Sequence, residues 1–194
     1  MSYPQSDDPG LRIAIMAGGL SRRMGRDKAA LPVAGVPMLD RVVRASLATG
    51  LPVMVVGRRG VAGIDDAACI EDEAPGSGPL GAIATALRAA GGPVLALACD
   101  MPLLSSGAIG WLAAMAPRIG SADGVVTMNA GRPEPLFSIY APSALGAIDR
   151  LMEREELAVR SLLSGGDFLR ADLPGHLRGA IRNINTPGDL LDIQ

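Results

Sequence analysis

The feature that most constrains this chain is an abrupt change of character near its start. A short apolar run, Ile13-Ala14-Ile15-Met16-Ala17, breaks off at Gly18-Gly19 and gives way to Leu20-Ser21-Arg22-Arg23-Met24-Gly25-Arg26-Asp27-Lys28. The apolar run reads as a buried strand. The glycines let the backbone approach a ligand closely or adopt a positive φ. The arginines and the lysine make the loop a place for something polyanionic. A strand feeding a glycine-rich basic loop is how α/β proteins hold phosphates. The plain alternative is a glycine-rich turn with solvated basic residues. Two common phosphate loops are excluded by spacing: Gly19 and Gly25 stand too far apart for G-x-x-x-x-G-K-[ST], and Gly18-Gly19 does not begin a G-x-G-x-x-G fingerprint.

At 194 residues the chain has length enough for one domain with a real core. Residues 1–10, polar and acidic, are expected to be frayed, leaving 11–194 as a single domain. The formal net charge of -2 gives no electrostatic case for nucleic-acid binding. Cys69 and Cys99 sit in apolar runs and read as small core residues rather than a disulfide, which suits a reducing cytosol. His176 is the sole histidine, which excludes histidine-based zinc chemistry, and Leu173-Pro174-Gly175-His176 reads as loop. No apolar run is long enough to span a membrane, and the N-terminus lacks the basic start and apolar centre of a signal peptide. A cytoplasmic protein without a membrane partner is the expectation.

Along the chain, strand and helix alternate. Strands are expected over 51–56, 67–70, 94–98, 124–128, 136–140 and 181–184. Helices are expected from Pro37 to about Gly50, across Leu80, Ile83, Ala84 and Leu87, across Ile109, Leu112, Ala113 and Ala116, and over 143–152, 159–163 and 187–193. The stretch 165–182 has no clear pattern, and 31–37 reads as a turn-rich connection. Short connections with this alternation predict an α/β fold: a mostly parallel sheet with right-handed crossovers and helices on both faces. Such sheets bind ligands beyond the carboxyl ends of their strands.

Beyond the basic loop, three clusters stand at such ends. Glu71-Asp72-Glu73, with Pro75-Gly76-Ser77-Gly78-Pro79 after it, reads either as a base and ribose pocket or as an acidic turn before a helix cap. Asp100 follows the most apolar strand, in Cys99-Asp100-Met101-Pro102, where a carboxylate needs a partner. Magnesium suits it, since that ion takes one or two carboxylates and completes its shell with water and substrate phosphates. A helix cap is the alternative, but Pro102 and Ser105 are able to supply that without Asp100. In Asn183-Ile184-Asn185-Thr186-Pro187, a strand would point Asn183 and Asn185 to one face, yet capping by Thr186-Pro187 is a sufficient explanation.

Ala17, Gly18, Gly19, Ser21, Arg23, Met24, Gly25 and Lys28 match the A-[AG]-G-x-S-x-R-M-G-x-x-K signature of small nucleotidylyltransferases. With Glu71-Asp72, Gly78-Pro79-Leu80, Cys99-Asp100-Met101-Pro102, Arg132-Pro133-Glu134-Pro135-Leu136 and Asn183 to Pro187, the chain resembles the molybdenum cofactor guanylyltransferases. Related cytidylyltransferases generally carry Ala-Ala-Gly where this chain has Ala17-Gly18-Gly19. One departure lies at Glu155-Glu156-Leu157-Ala158-Val159-Arg160, where the family often has a basic pair before the valine and only Arg160 remains.

The resemblance implies a three-layer, Rossmann-like nucleotidyltransferase fold. It also implies transfer of GMP from GTP to the terminal phosphate of molybdopterin, with Mg2+ as cofactor. Cofactor-biosynthesis proteins and molybdoenzyme chaperones are the further partners it implies. Arg23, Lys28 and Asp100 would be catalytic, with Asp100 as metal ligand. Ala17, Gly18, Gly19, Ser21, Lys28, Asp72, Gly78, Asp100, Asn183 and Asn185 would bind nucleotide and metal, and Arg132 and Arg160 would face the pterin. The competing expectations are a cytidylyltransferase, a sugar-1-phosphate nucleotidylyltransferase and a non-catalytic GTP-binding module.

Overall fold

The computed structural model describes residues 10–18, 28–58, 60–61, 65–184 and 187–191. Continuous apolar runs become strands buried on both faces: β1 (Arg12–Met16), β4 (Val53–Val56) and β6 (Val94–Ala98). A small antiparallel hairpin, β2 (Pro32–Val33) with β3 (Val36–Pro37), lies between β1 and helix α1 (Met38–Leu47). The chain continues through β5 (Ala68–Ile70), α2 (Gly78–Ala90), α3 (Ser106–Ala113), β7 (Gly124–Asn129), β8 (Arg132–Pro133), β9 (Phe137–Tyr140), α4 (Leu145–Glu153), α5 (Val159–Gly165), β10 (Phe168–Asp172) and α6 (Pro187–Leu191).

The main sheet runs β10-β7-β9-β6-β1-β4-β5, with β8 hanging on β7. The pairs β1–β4, β1–β6, β4–β5 and β10–β7 are parallel; β9 runs against both of its neighbours. The expected mostly parallel three-layer sheet is therefore present. Strand residues alternate between two cores. Ile13, Ile15, Val53, Val55, Leu95 and Leu97 pack with α1 and α3, whereas Ala14, Met16, Met54, Val56 and Ala96 pack with α2, α4 and α5. From β1 the chain moves one way to β4 through α1, and from β5 it returns the other way to β6 through α2. A constant crossover hand then requires those helices on opposite faces, as observed.

One expected strand is absent. Residues 181–184 do not pair with the sheet: Gly175–Ile181 is a 3-10 helix, and Asn183 and Ile184 follow in irregular backbone. Ile181 and Ile184 are both buried, a spacing of a helical turn rather than of a strand. The stretch 165–182, without a clear pattern in sequence, contains the edge strand β10.

Helix α4 closes with both hydrogen bonds of a Schellman motif, Glu155 N–H to the Met152 carbonyl (3.0 Å) and Glu156 N–H to that of Leu151 (2.9 Å). Glu155 sits there at φ 58°, where a Cβ is unfavourable. Glu155→Gly is expected to stabilise the fold by about 1 kcal/mol, raising Tm by about 3 °C in calorimetry. An unchanged or lower Tm would mean that this position carries no strain.

Candidate functional site

The carboxyl ends of the central strands open on a cavity of about 630 Å³. Its floor is the end of β1 and β6: Met16, Ala17 and Gly18 from one, Ala98, Cys99 and Asp100 from the other. Gly78 and Pro79 bring the N-terminus of α2 to its rim, where unbonded N–H groups suit a phosphate. Asn183 comes from the far end of the chain, carried in by a main-chain bond from Ile184 N–H to the Asp100 carbonyl (2.9 Å). So Ala17, Gly18, Gly78, Asp100 and Asn183 meet in one place. Lys28 begins a 3-10 turn, Lys28–Ala30, whose Ala29 also lines the cavity. Gly19, Ser21, Arg23 and Asn185 lie outside the described residues, as do Met24 and Gly25.

Asp100 is not spent on the helix that follows it. Ser105 caps α3 by accepting the Ala108 N–H at 3.2 Å. The backbone around Asp100 is pinned from a second direction, because Arg41 Nε donates to the Pro102 carbonyl at 2.9 Å. Asp72 follows β5 and is half-buried. Its Oδ1 accepts the Ala74 N–H (3.0 Å) and lies 3.2 Å from the Thr85 hydroxyl on α2. Its Oδ2 lies toward the loop after β1: a Cβ built on Gly18 would sit 3.8 Å from it. The acidic turn can lie this close to α2 because residue 81 is glycine; a Cβ there would meet the Ser77 Cβ at 2.8 Å.

Gly18 itself nearly touches Gly57, the residue after β4. A Cβ on Gly57, at φ 86°, would fall 2.5 Å from the Gly18 Cα. Ala17 N–H bonds the Val56 carbonyl (3.0 Å) and Gly57 N–H that of Ile70 (2.8 Å), so the ends of β1, β4 and β5 are laced together. In sequence the signal for Gly57 is a glycine directly after a strand.

Glu134 stands within Arg132-Pro133-Glu134-Pro135-Leu136, and the sequence alone points to no role for it. It lines the cavity with Pro135 and Leu136, on the side of β6 away from β1, where Ala98 N–H donates to the Leu136 carbonyl (3.1 Å). Asn129 Nδ2 donates to Glu134 Oε1 at 3.0 Å. The fully buried Tyr140 donates its hydroxyl to the Pro135 carbonyl (2.8 Å), and burial pushes its pKa far above the ordinary value, so it remains a donor at any workable pH. Arg160 also lines the cavity, with Ala158 and Val159. Arg132, on β8, is exposed and is not among the residues that line it.

Cys69 and Cys99 are half-buried and not joined in a disulfide, and burial pushes the Cys69 thiol up. His176 is exposed within its 3-10 helix. Among the described residues no helix is long and apolar enough to cross a membrane.

Residues 13–171 match the family model of the MobA-like NTP transferase domain. A probable molybdenum cofactor guanylyltransferase of Methanothermobacter thermautotrophicus is 33% identical over 192 residues, covering 92% of this chain and 96% of that protein. One from Mycolicibacterium paratuberculosis is 36% identical over 183 residues, covering 91% of each. Among solved structures, molybdopterin-guanine dinucleotide biosynthesis protein A of Archaeoglobus fulgidus superposes with a TM-score of 0.79 at 24% identity, covering 94% of this chain and 96% of that one. That likeness speaks for the fold; the family match and the closer sequence relatives carry the assignment. With a family match over residues 13–171 and relatives more than 30% identical over nine-tenths of its length, the chain belongs to the MobA-like NTP transferases and is a nucleotidylyltransferase.

Proposed function

We propose that this protein transfers GMP from GTP to the terminal phosphate of molybdopterin, forming the guanine dinucleotide cofactor and releasing pyrophosphate. The observation that carries this reading is one cavity with two sides. Glu134, ahead of β9, and Gly18, after β1, stand on opposite sides of Asp100 at the end of β6, and the α2 N-terminus and Arg160 also line the cavity. That is room for a donor and an acceptor around a shared carboxylate.

An acceptor phosphate oxygen would attack the α-phosphorus, and the bond from that phosphorus to the bridging oxygen would break toward pyrophosphate. The nucleophile is already anionic, so catalysis consists of positioning and charge stabilisation. Gly18, Gly19 and Asp72 would hold guanosine, with Ala17, Ser21 and Gly78 around the nucleotide. Arg23 and Lys28 would offset charge on the leaving pyrophosphate, and Asn183 and Asn185 would steady the acceptor phosphate. Arg160 would face the pterin; Arg132 would do so only from outside the cavity lining.

The donor set fits a magnesium ion. No group of three or more His, Cys, Asp or Glu gathers among the described residues, whereas a single carboxylate on an open phosphate cavity is what this ion takes. Asp100 would hold it, and when bound the ion supplies neutralisation of phosphate charge. Residues 11–194 would act as one catalytic domain in the cytoplasm, handing product to cofactor-biosynthesis proteins or molybdoenzyme chaperones.

The test is calorimetric binding of GTP, CTP, ATP and UTP with Mg2+, followed by pyrophosphate release on adding molybdopterin. GTP-selective binding with acceptor-dependent release is the expected result. A preference for CTP would move the protein to the cytidylyl branch, and GTP binding without release would make it a binding module.

A further inference from the structure

Thr85 lies in the second turn of α2, away from the cavity lining, and is 2% exposed. Its hydroxyl accepts the Glu73 N–H at 3.2 Å and has one proton to give. Two acceptors are in reach, the Gly81 carbonyl at 3.0 Å and Asp72 Oδ1 at 3.2 Å. Donation to an ionised carboxylate is charge-assisted and the stronger of the two. Asp72 Oδ1 is thereby held by two protein donors, the Ala74 N–H and the Thr85 hydroxyl, which leaves Oδ2 turned toward Gly18. A further side-chain tie between the acidic turn and α2 is the pair Arg88–Glu73 at 3.7 Å. Both members are exposed, and such a pair holds little.

We propose that Thr85 is a positioning residue for the donor nucleoside. It fixes the Asp72 carboxylate so that Oδ2 faces the guanosine as a ready acceptor for N–H or ribose O–H groups. The inference rests on the reading that Asp72 touches the nucleoside. It adds that the orientation is set from inside α2, the helix whose first turn faces the phosphates. Thr85 therefore serves recognition of the nucleoside and not of the phosphates, and the two are separable.

The experiment measures KM and kcat for GTP, and calorimetric affinities for GTP and for inorganic pyrophosphate, in the full chain and in Thr85→Val, Thr85→Ser, Asp72→Asn and the Asp72→Asn/Thr85→Val pair. Thr85→Val is expected to raise KM and Kd for GTP about tenfold, with kcat at saturation within about twofold and pyrophosphate affinity unchanged. Thr85→Ser, which keeps the hydroxyl, should restore GTP affinity. In the Asp72→Asn background Thr85→Val should add little, as expected of residues acting through one group. If Asp72→Asn weakens GTP and Thr85→Val does not, the positioning role is wrong. Loss of GTP and pyrophosphate affinity together in Thr85→Val makes Thr85 a structural support of α2 and also overturns it. Unchanged GTP affinity in Asp72→Asn instead removes the underlying reading of Asp72.

Discussion

Asp100→Asn is expected to lower kcat at least about a hundredfold while GTP still binds within a few-fold of the parent. Asp100 follows the fully buried run of β6, and its backbone is held by Ile184 and, two residues on, by Arg41. The amide should therefore occupy the same place, and what is lost is charge. GTP affinity draws on Gly18, the α2 N-terminus and the basic loop, so it survives; removing a negative charge beside a triphosphate even relieves some repulsion. Initial rates of pyrophosphate release, set against GTP calorimetry on the same preparation, separate the two effects. Turnover near the parental value would take the cation-holding role away from Asp100.

Gly57→Ala should be the most damaging small substitution in the nucleotide half. Its φ of 86° costs an L-residue about 1 kcal/mol, and its new Cβ would lie 2.5 Å from the Gly18 Cα and 2.7 Å from the Gly18 nitrogen. Neither obstacle is a side chain that can rotate away; one of two strand ends must move. A total loss of about 2–4 kcal/mol is expected, seen as a fall in Tm of about 6 °C or more, together with weakened GTP binding. Gly50→Ala is the matched control. It has φ 77° with open space around it, at the turn after α1, so it should cost only the backbone strain and leave GTP binding intact. Equal effects at both positions would show that the approach of Gly18 to Gly57 constrains nothing.

The strand ends that open on the cavity are readable from sequence, for physical reasons visible in the fold. The runs 13–16 and 94–98 are buried on both faces, so composition alone marks them as central strands. Residues just after them, Gly18 and Asp100, then fall at the strand ends, where an open α/β sheet places its ligands. The Asn183 region lines the cavity but is not the strand its sequence predicts. A long-range hydrogen bond from Ile184 N–H ties it to the Asp100 carbonyl, which no local pattern encodes, and its buried isoleucines imitate a strand in sequence. The edge strand β10 was hidden because Leu169, Arg170 and Asp172 are exposed, leaving no alternation to detect; its register comes from pairing with β7 and from the Phe168 ring set edge-on to Tyr140 at 5.8 Å. Glu134 and Gly57 escaped for a related reason: each matters through a partner distant in sequence, the end of β6 for one and the loop after β1 for the other.

The reversed direction of β9 has a consequence for how such a protein can be rebuilt by recombination. Because β9 runs against β6, the residues that lead into it rather than those that leave it meet the cavity, and Glu134, Pro135 and Leu136 arrive together from one connection. Gly18, Gly78 and Asp100 all precede α3, whereas Glu134 and Arg160 follow it. The two sides of the cavity are thus written one after the other along the chain, and α3 is the punctuation between them. A chimera joined after α3 and rejoined after β10 would exchange one side whole. It would cross the main sheet at a single ladder, Val94–Leu97 against Phe137–Tyr140. One exchange of contiguous sequence would in this way replace Glu134 and Arg160 while leaving Gly18, Gly78 and Asp100 unaltered.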